Sequence, residues 1–69
     1  MRYSFFAVHR GASVVEYPTA GHVDAENITE ACHTFAESHD MVFSEVTADL
    51  AWMLTADGAD IGYKVSELH

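Results

Sequence analysis

Only one stretch of this sequence carries both the start signal and the spacing of a helix: NITEACHTFAESH, residues 27–39. Asn27 stands as an N-cap with Glu30 three residues on, a capping-box-like pair that satisfies backbone donors the first turn leaves unpaired. Ile28, Ala31, Cys32 and Phe35 recur at the separations that share one helix face. A helix of about three turns ending near His39 and Asp40 is predicted. With one helix available, the remaining apolar residues need a sheet to be buried against.

The flanking segments supply one. RYSFFAVH (residues 2–9) is aromatic and β-favouring, and Gly11 and Ser13 break it before SVVEY (13–17), which reads as a β-hairpin. Pro18 cannot donate to a ladder, so the second strand should bulge or stop there and at Gly21, resume at HVDA (22–25), and lie at a sheet edge. MVFSEV (41–46) alternates, with Met41 and Phe43 on one face and Val42 and Val46 on the other. LAWML (50–54) and IGYKV (61–65) flank ADGAD, where a calcium loop of the EF-hand type would need oxygens at its first, third and fifth positions and glycine at its sixth. That spacing is absent, and Asp57-Gly58 reads as a tight hairpin turn. Counting back from it, Leu50, Trp52 and Leu54 should join Ile61, Tyr63 and Val65 on the face that meets the helix. Core packing then accounts for Phe5, Phe43, Trp52 and Tyr63. The predicted fold class is α+β: an antiparallel sheet of about five strands with one helix on one face, in the order ββαβββ.

A chain of 69 residues is expected to form a single domain across its length, near the lower limit at which one hydrophobic core holds a fold without staples. Its 49% of hydrophobic residues is too high for a disordered acidic tail, so the chain folds. Cys32 is the single cysteine, which rules out an intramolecular disulfide and suits a reducing compartment. No charged N-terminal segment leads into a long apolar run, and no stretch approaches a membrane span, so a soluble, cytoplasmic protein is expected. The NIT sequon has no consequence without a secretory signal.

Familiar chemistries find little to work with. Cys32, His33 and His39 share the helix, yet Cys32 and His33 are adjacent and point about 100° apart, and zinc-type paired spacings are absent. Cys32 belongs with Ile28 and Phe35 on the apolar face, where a nucleophile would meet no substrate. His9 and His22 could join a site only through folding. Paired carboxylates for acid–base work need a pocket, for which so small a chain has little volume. Neither enzyme activity, nor a cofactor, nor a bound metal is expected.

Charge is the positive signal. Eleven acids against three bases give a net charge of −8, which disfavours direct binding to nucleic acid or anionic membranes and favours a basic partner. Aromatic stacking platforms for single strands work inside a basic groove, and none is evident. On a helical projection Glu26, Glu30, His33 and Glu37 fall within an arc of roughly 60°, opposite the apolar residues. Glu26 and Glu30, like charges four apart, cost a few tenths of a kcal/mol rather than adding support. With Asp57 and Asp60 at the hairpin tip, Glu26, Glu30 and Glu37 are the candidate partner-binding residues. Carboxylates held on a rigid scaffold suit a protein that occupies a basic surface otherwise holding nucleic acid.

The small size, the acidity, and the order in which AENITEACHTFAESH precedes two strands and a DG hairpin resemble the small phage-encoded anti-CRISPR proteins that block type I surveillance complexes. The resemblance covers overall form and carries no residue across. It implies binding to a DNA-recognising subunit of the Cascade complex and prevention of target-DNA engagement. Two other readings stand beside it: a module that self-associates through an exposed strand edge, its acidity serving solubility, and a metal-binding regulator built on the histidines.

Overall fold

Five strands and one helix follow in the order β1 (Arg2–Arg10), β2 (Ala20–Asp24), α1 (Ile28–Ser38), β3 (Val42–Thr47), β4 (Leu50–Leu54) and β5 (Asp60–Leu68). They are seen in a computed structural model that describes residues 1–47 and 49–68. All strand pairs are antiparallel and the sheet order is β2-β1-β5-β4-β3, with α1 packed across one face. The fold is α+β with the order ββαβββ.

The core lies between that helix and that face. Alternation along β1 sends Tyr3, Phe5 and Ala7 to the helix side, and β5 sends Ile61 and Tyr63 there. From α1 come Ala31, Cys32, Phe35 and Ala36, on a stripe of helical spacing. The Phe35 ring stacks on Phe5 with centroids 4.2 Å apart, and Tyr63 meets Phe35 edge-on at 4.9 Å. Cys32 is fully buried, and desolvation pushes its thiol up to about 11, so the thiolate is scarce. Ile28 departs from expectation: it begins the helix beyond the packed stripe and is 44% exposed.

Local signals explain the helix ends. The Asn27 side chain accepts from the Glu30 backbone N–H at 2.8 Å. At the other end Asp40 takes a positive φ of 56°, and Met41 N–H reaches back to the Ala36 carbonyl at 2.8 Å, which closes the last turn as a Schellman-type cap. The chain then turns Met41 into the core.

Three strand expectations fail, each for a local physical reason. SVVEY is not a strand: residues 11–19 form a connection, and the partner of β1 is the later segment Ala20–Asp24, at the sheet edge. The Ser13 hydroxyl and Val14 N–H are bound to the Asp57 carboxylate at 2.9 Å each, and the Val14 side chain is 94% exposed, so nothing there recruits a ladder.

The second failure concerns β4. Ala51 and Met53 face the helix, whereas Leu50, Trp52 and Leu54 lie on the opposite face and are only half-buried. A two-residue Asp57-Gly58 turn would have paired Leu54 with Ile61. Instead the loop has three residues: Thr55 N–H donates to the Ala59 carbonyl, Gly58 N–H donates to the Thr55 carbonyl, and Gly58 holds a φ of 83°. Leu54 is therefore opposite Asp60 and Met53 opposite Ile61. One added loop residue transfers every side chain of β4 to the other face. In β3 an irregularity between Phe43 and Glu45 has a similar effect, placing Val42 opposite Leu54 and Val46 opposite Ala51, on different faces.

Candidate functional site

The sheet divides the charged residues. Behind the helix, Arg2 and Lys64 alternate out of β1 and β5, while Asp24, Glu45 and Asp60 emerge from β2, β3 and β5, each placed by register with Trp52, Leu54 or Arg2 on the open face. Two cations against three acids leave one net negative charge there. Seven of the eight net charges therefore lie elsewhere, with Arg10, opposite Ile61, as the single cation among them.

Glu30 and Glu37 stand exposed on the outer side of α1, and Glu26 is exposed just ahead of its cap, outside the helix proper. Glu30 lies in the first turn, where the partial positive charge of the helix end favours it. The last turn carries no basic residue to offset Glu37, and Asp40 follows directly. His33 packs its ring against Phe43 at 5.0 Å, which holds the middle of this side. Along the axis, Glu30 and Glu37 are separated by about 10 Å of helical rise, about three phosphate steps of one DNA strand at ~3.4 Å each.

The two hairpin acids do not join this row. Asp60 belongs to the open face opposite Leu54. Asp57 is exposed at the loop, but its carboxylate accepts from Ser13 Oγ, Val14 N–H and Thr55 Oγ1, and thereby ties the 11–19 connection to the β4–β5 loop. The start of the helix, with Glu26 and Glu30, lies at the opposite end of the sheet from the hairpin tip, whereas its last turn leads to the tip's end, where Val42 is opposite Leu54. The chain enters α1 beyond Asp24, which is opposite Arg2, whereas the tip adjoins Ile61, opposite Arg10.

Asp57 has a measurable signature. The Thr55 hydroxyl, then Val14 N–H and Ser13, hold its carboxyl at about 2 against an ordinary 3.8. Because the folded value is the lower one, the tie contributes fully above about pH 4 and is lost as pH falls through about 2. Between these limits the melting temperature of wild type relative to Asp57→Asn should decline, the two converging near pH 2. Parallel thermal melts check this, and the comparison removes the general effect of neutralising other acids. A gap unchanged across that window would show that the tie does not contribute.

A shallow cleft of about 450 Å³ opens where Glu16, Tyr17 and Pro18 meet Ser38, His39 and Asp40 at the end of α1. Its chemistry is limited, since Ser38 Oγ donates to the Thr34 carbonyl of its own helix at 2.8 Å and Tyr63 Oη donates to the Pro18 carbonyl at 2.6 Å. Among the described residues no group of three or more His, Cys, Asp and Glu side chains converges on a metal-sized site; His69 lies outside the described residues. Likewise, no helix among them is long and apolar enough to cross a membrane.

The open face is what the sequence reading missed. Phe6, Leu50, Trp52, Leu54 and Val42 stand there with Lys64, and a bulge between Ala7 and His9 re-aims His9 so that its ring meets Trp52 at 5.0 Å. Trp52 lies over Gly62, whose missing side chain leaves it room. The parity of the β4–β5 loop was the signal that would have found this face. No family model, curated protein or solved structure matches this chain.

Proposed function

We propose that this protein is a small acidic binding protein that inhibits a nucleic-acid-binding bacterial defence complex by occupying its basic DNA-binding surface. The type I CRISPR surveillance complex, whose inhibitors the chain resembles in overall form, is the proposed target, met in the cytoplasm. The observation that carries the reading is the segregation of charge: seven of eight net negative charges lie off the open sheet face, with Glu26, Glu30 and Glu37 exposed on or beside one helix. The packed helix that carries these carboxylates is already ordered, so binding a row of lysines and arginines leaves only side chains to be ordered. Long-range attraction between opposite surfaces would also speed encounter at low salt.

The contact set is narrower than the sequence suggested. Glu26, Glu30 and Glu37 form its centre, whereas Asp57 serves the loop and Asp60 faces the other way.

Competition measures it directly. Purified Cascade is mixed with labelled target DNA and increasing amounts of wild type or of the variant Glu26→Lys/Glu30→Lys/Glu37→Lys, at low and high salt. Wild type should displace the DNA, with an association rate that falls as salt rises. The variant should keep its fold, since exposed substitutions usually change stability by within about 0.5 kcal/mol each, yet lose at least about tenfold in affinity. Equal displacement by both proteins, insensitive to salt, would refute charge mimicry, as would no displacement by either.

A further inference from the structure

We infer that the open face of the sheet is a self-association surface, which pairs two copies of this chain back to back with both acidic helices outward. This stands apart from the proposed target, because it concerns the face that the helix leaves bare. Phe6 is 55% exposed and Val42 66%, and Leu50, Trp52 and Leu54 are half-buried between them. Register places all five on this side: Phe6 is opposite Lys64, Lys64 opposite Leu50, and Leu54 opposite both Val42 and Asp60. Apolar side chains thus stand on three of the five strands, β1, β4 and β3, with Lys64 and Gly62 of β5 between them.

Charge selects the occupant. Two copies at −8 repel through any side on which the acids lie, and this face, with one net negative charge from five charged groups, is where they meet at least cost. Arg2 and Asp24 are already paired at 3.1 Å, which leaves Lys64 to find Glu45 or Asp60 of the second copy across a two-fold axis. Size permits it: the two longer extents of the molecule, 34 and 22 Å, bound any one face at roughly 750 Å², close to the ~800 Å² per partner of a standard interface. Two such sheets pack about 10 Å apart with their facing apolar residues interdigitated. A nucleic-acid strand would use Phe6, Trp52 and Lys64 but leave Leu50, Leu54 and Val42 uncovered, so the second copy is the better fit.

Sedimentation equilibrium over a concentration series tests the assignment on the full chain. The mass should rise from 7.6 kDa towards twice that value, and Trp52 emission should shift to the blue over the same concentrations. Association should strengthen as salt rises, because screening weakens repulsion between like-charged copies; charge-driven binding of a basic partner responds in the opposite direction, so the two ideas fail separately. Phe6→Glu, at an exposed position, should keep the wild-type circular dichroism and raise the dissociation constant at least about tenfold. Lys64→Glu supplies an independent variant should that protein not fold, and it should weaken association in the same direction. Val46→Lys on the edge strand β3, off this face, should leave association unchanged. A monomer at every concentration would overturn the inference. So would loss of association in Val46→Lys but not in Phe6→Glu, the result expected of edge-to-edge pairing, or quenching of monomeric Trp52 by an added single-stranded oligothymidylate.

Discussion

Phe35→Ala should leave the protein largely unfolded at room temperature. Phe35 is 1% exposed and is the largest side chain that the helix buries in the core. Its ring lies parallel to Phe5, edge-on to Tyr63, and against His39 at 4.8 Å. Truncation removes the transfer free energy of the ring and leaves a cavity that its neighbours cannot close, since Phe5 and Tyr63 belong to rigid adjacent strands. Losses of this type run to about 3 to 5 kcal/mol. A single core in a chain this short rarely supplies more than about 3 to 5 kcal/mol in total. The loss therefore equals the whole margin. Far-UV circular dichroism and urea titration check it, with Val14→Ala, 94% exposed in the 11–19 connection, as the control that should unfold close to wild type. A cooperative Phe35→Ala transition at the wild-type urea midpoint would mean that the helix is not docked as described.

Gly21→Ala should have the next largest effect, and for a related reason. Gly21 sits in β2 facing the helix, and a Cβ placed on it would lie 2.8 Å from Phe35 Cε1. An aromatic ring can sometimes swing away from such a contact. Here it is stacked on Phe5 and bounded by Tyr63, so either β2 or the helix must shift. Overpacking of a filled core costs typically about 1 to 3 kcal/mol. Because the clash is with one ring, the two positions should couple: Phe35→Leu, destabilising alone, should absorb part of the cost of Gly21→Ala. Urea midpoints of the two single variants and the double variant form the cycle that measures this. Strict additivity would show that Gly21 is required for another reason.

These two residues also mark the boundary of what could be read in advance. Phe35 follows from the spacing of NITEACHTFAESH, as do Ala31 and Cys32, because a helical face depends on separations within one continuous segment. Gly21 does not, since its neighbour is brought from fourteen positions away. The candidate site divides in the same way. Glu30 and Glu37 stand outward as the helical period requires, whereas Asp57 and Asp60, three apart in a hairpin, are sent to a buttressing role and to the opposite face.

The sequence by itself determined the element types and their order, the N-cap at Asn27, the burial of Cys32 and the excess of acid, because each depends on local geometry or composition. Tertiary structure alone decided which face of β4 is core. Ala56, Asp57 and Gly58 form a three-residue loop held by Thr55 and braced from Ser13 and Val14, forty-odd positions away. Strand periodicity is two, so a hydrophobic run such as LAWML is compatible with either face, and a single residue of loop length chooses between them. That choice places Met53 in the core and Trp52 on the open side of the sheet.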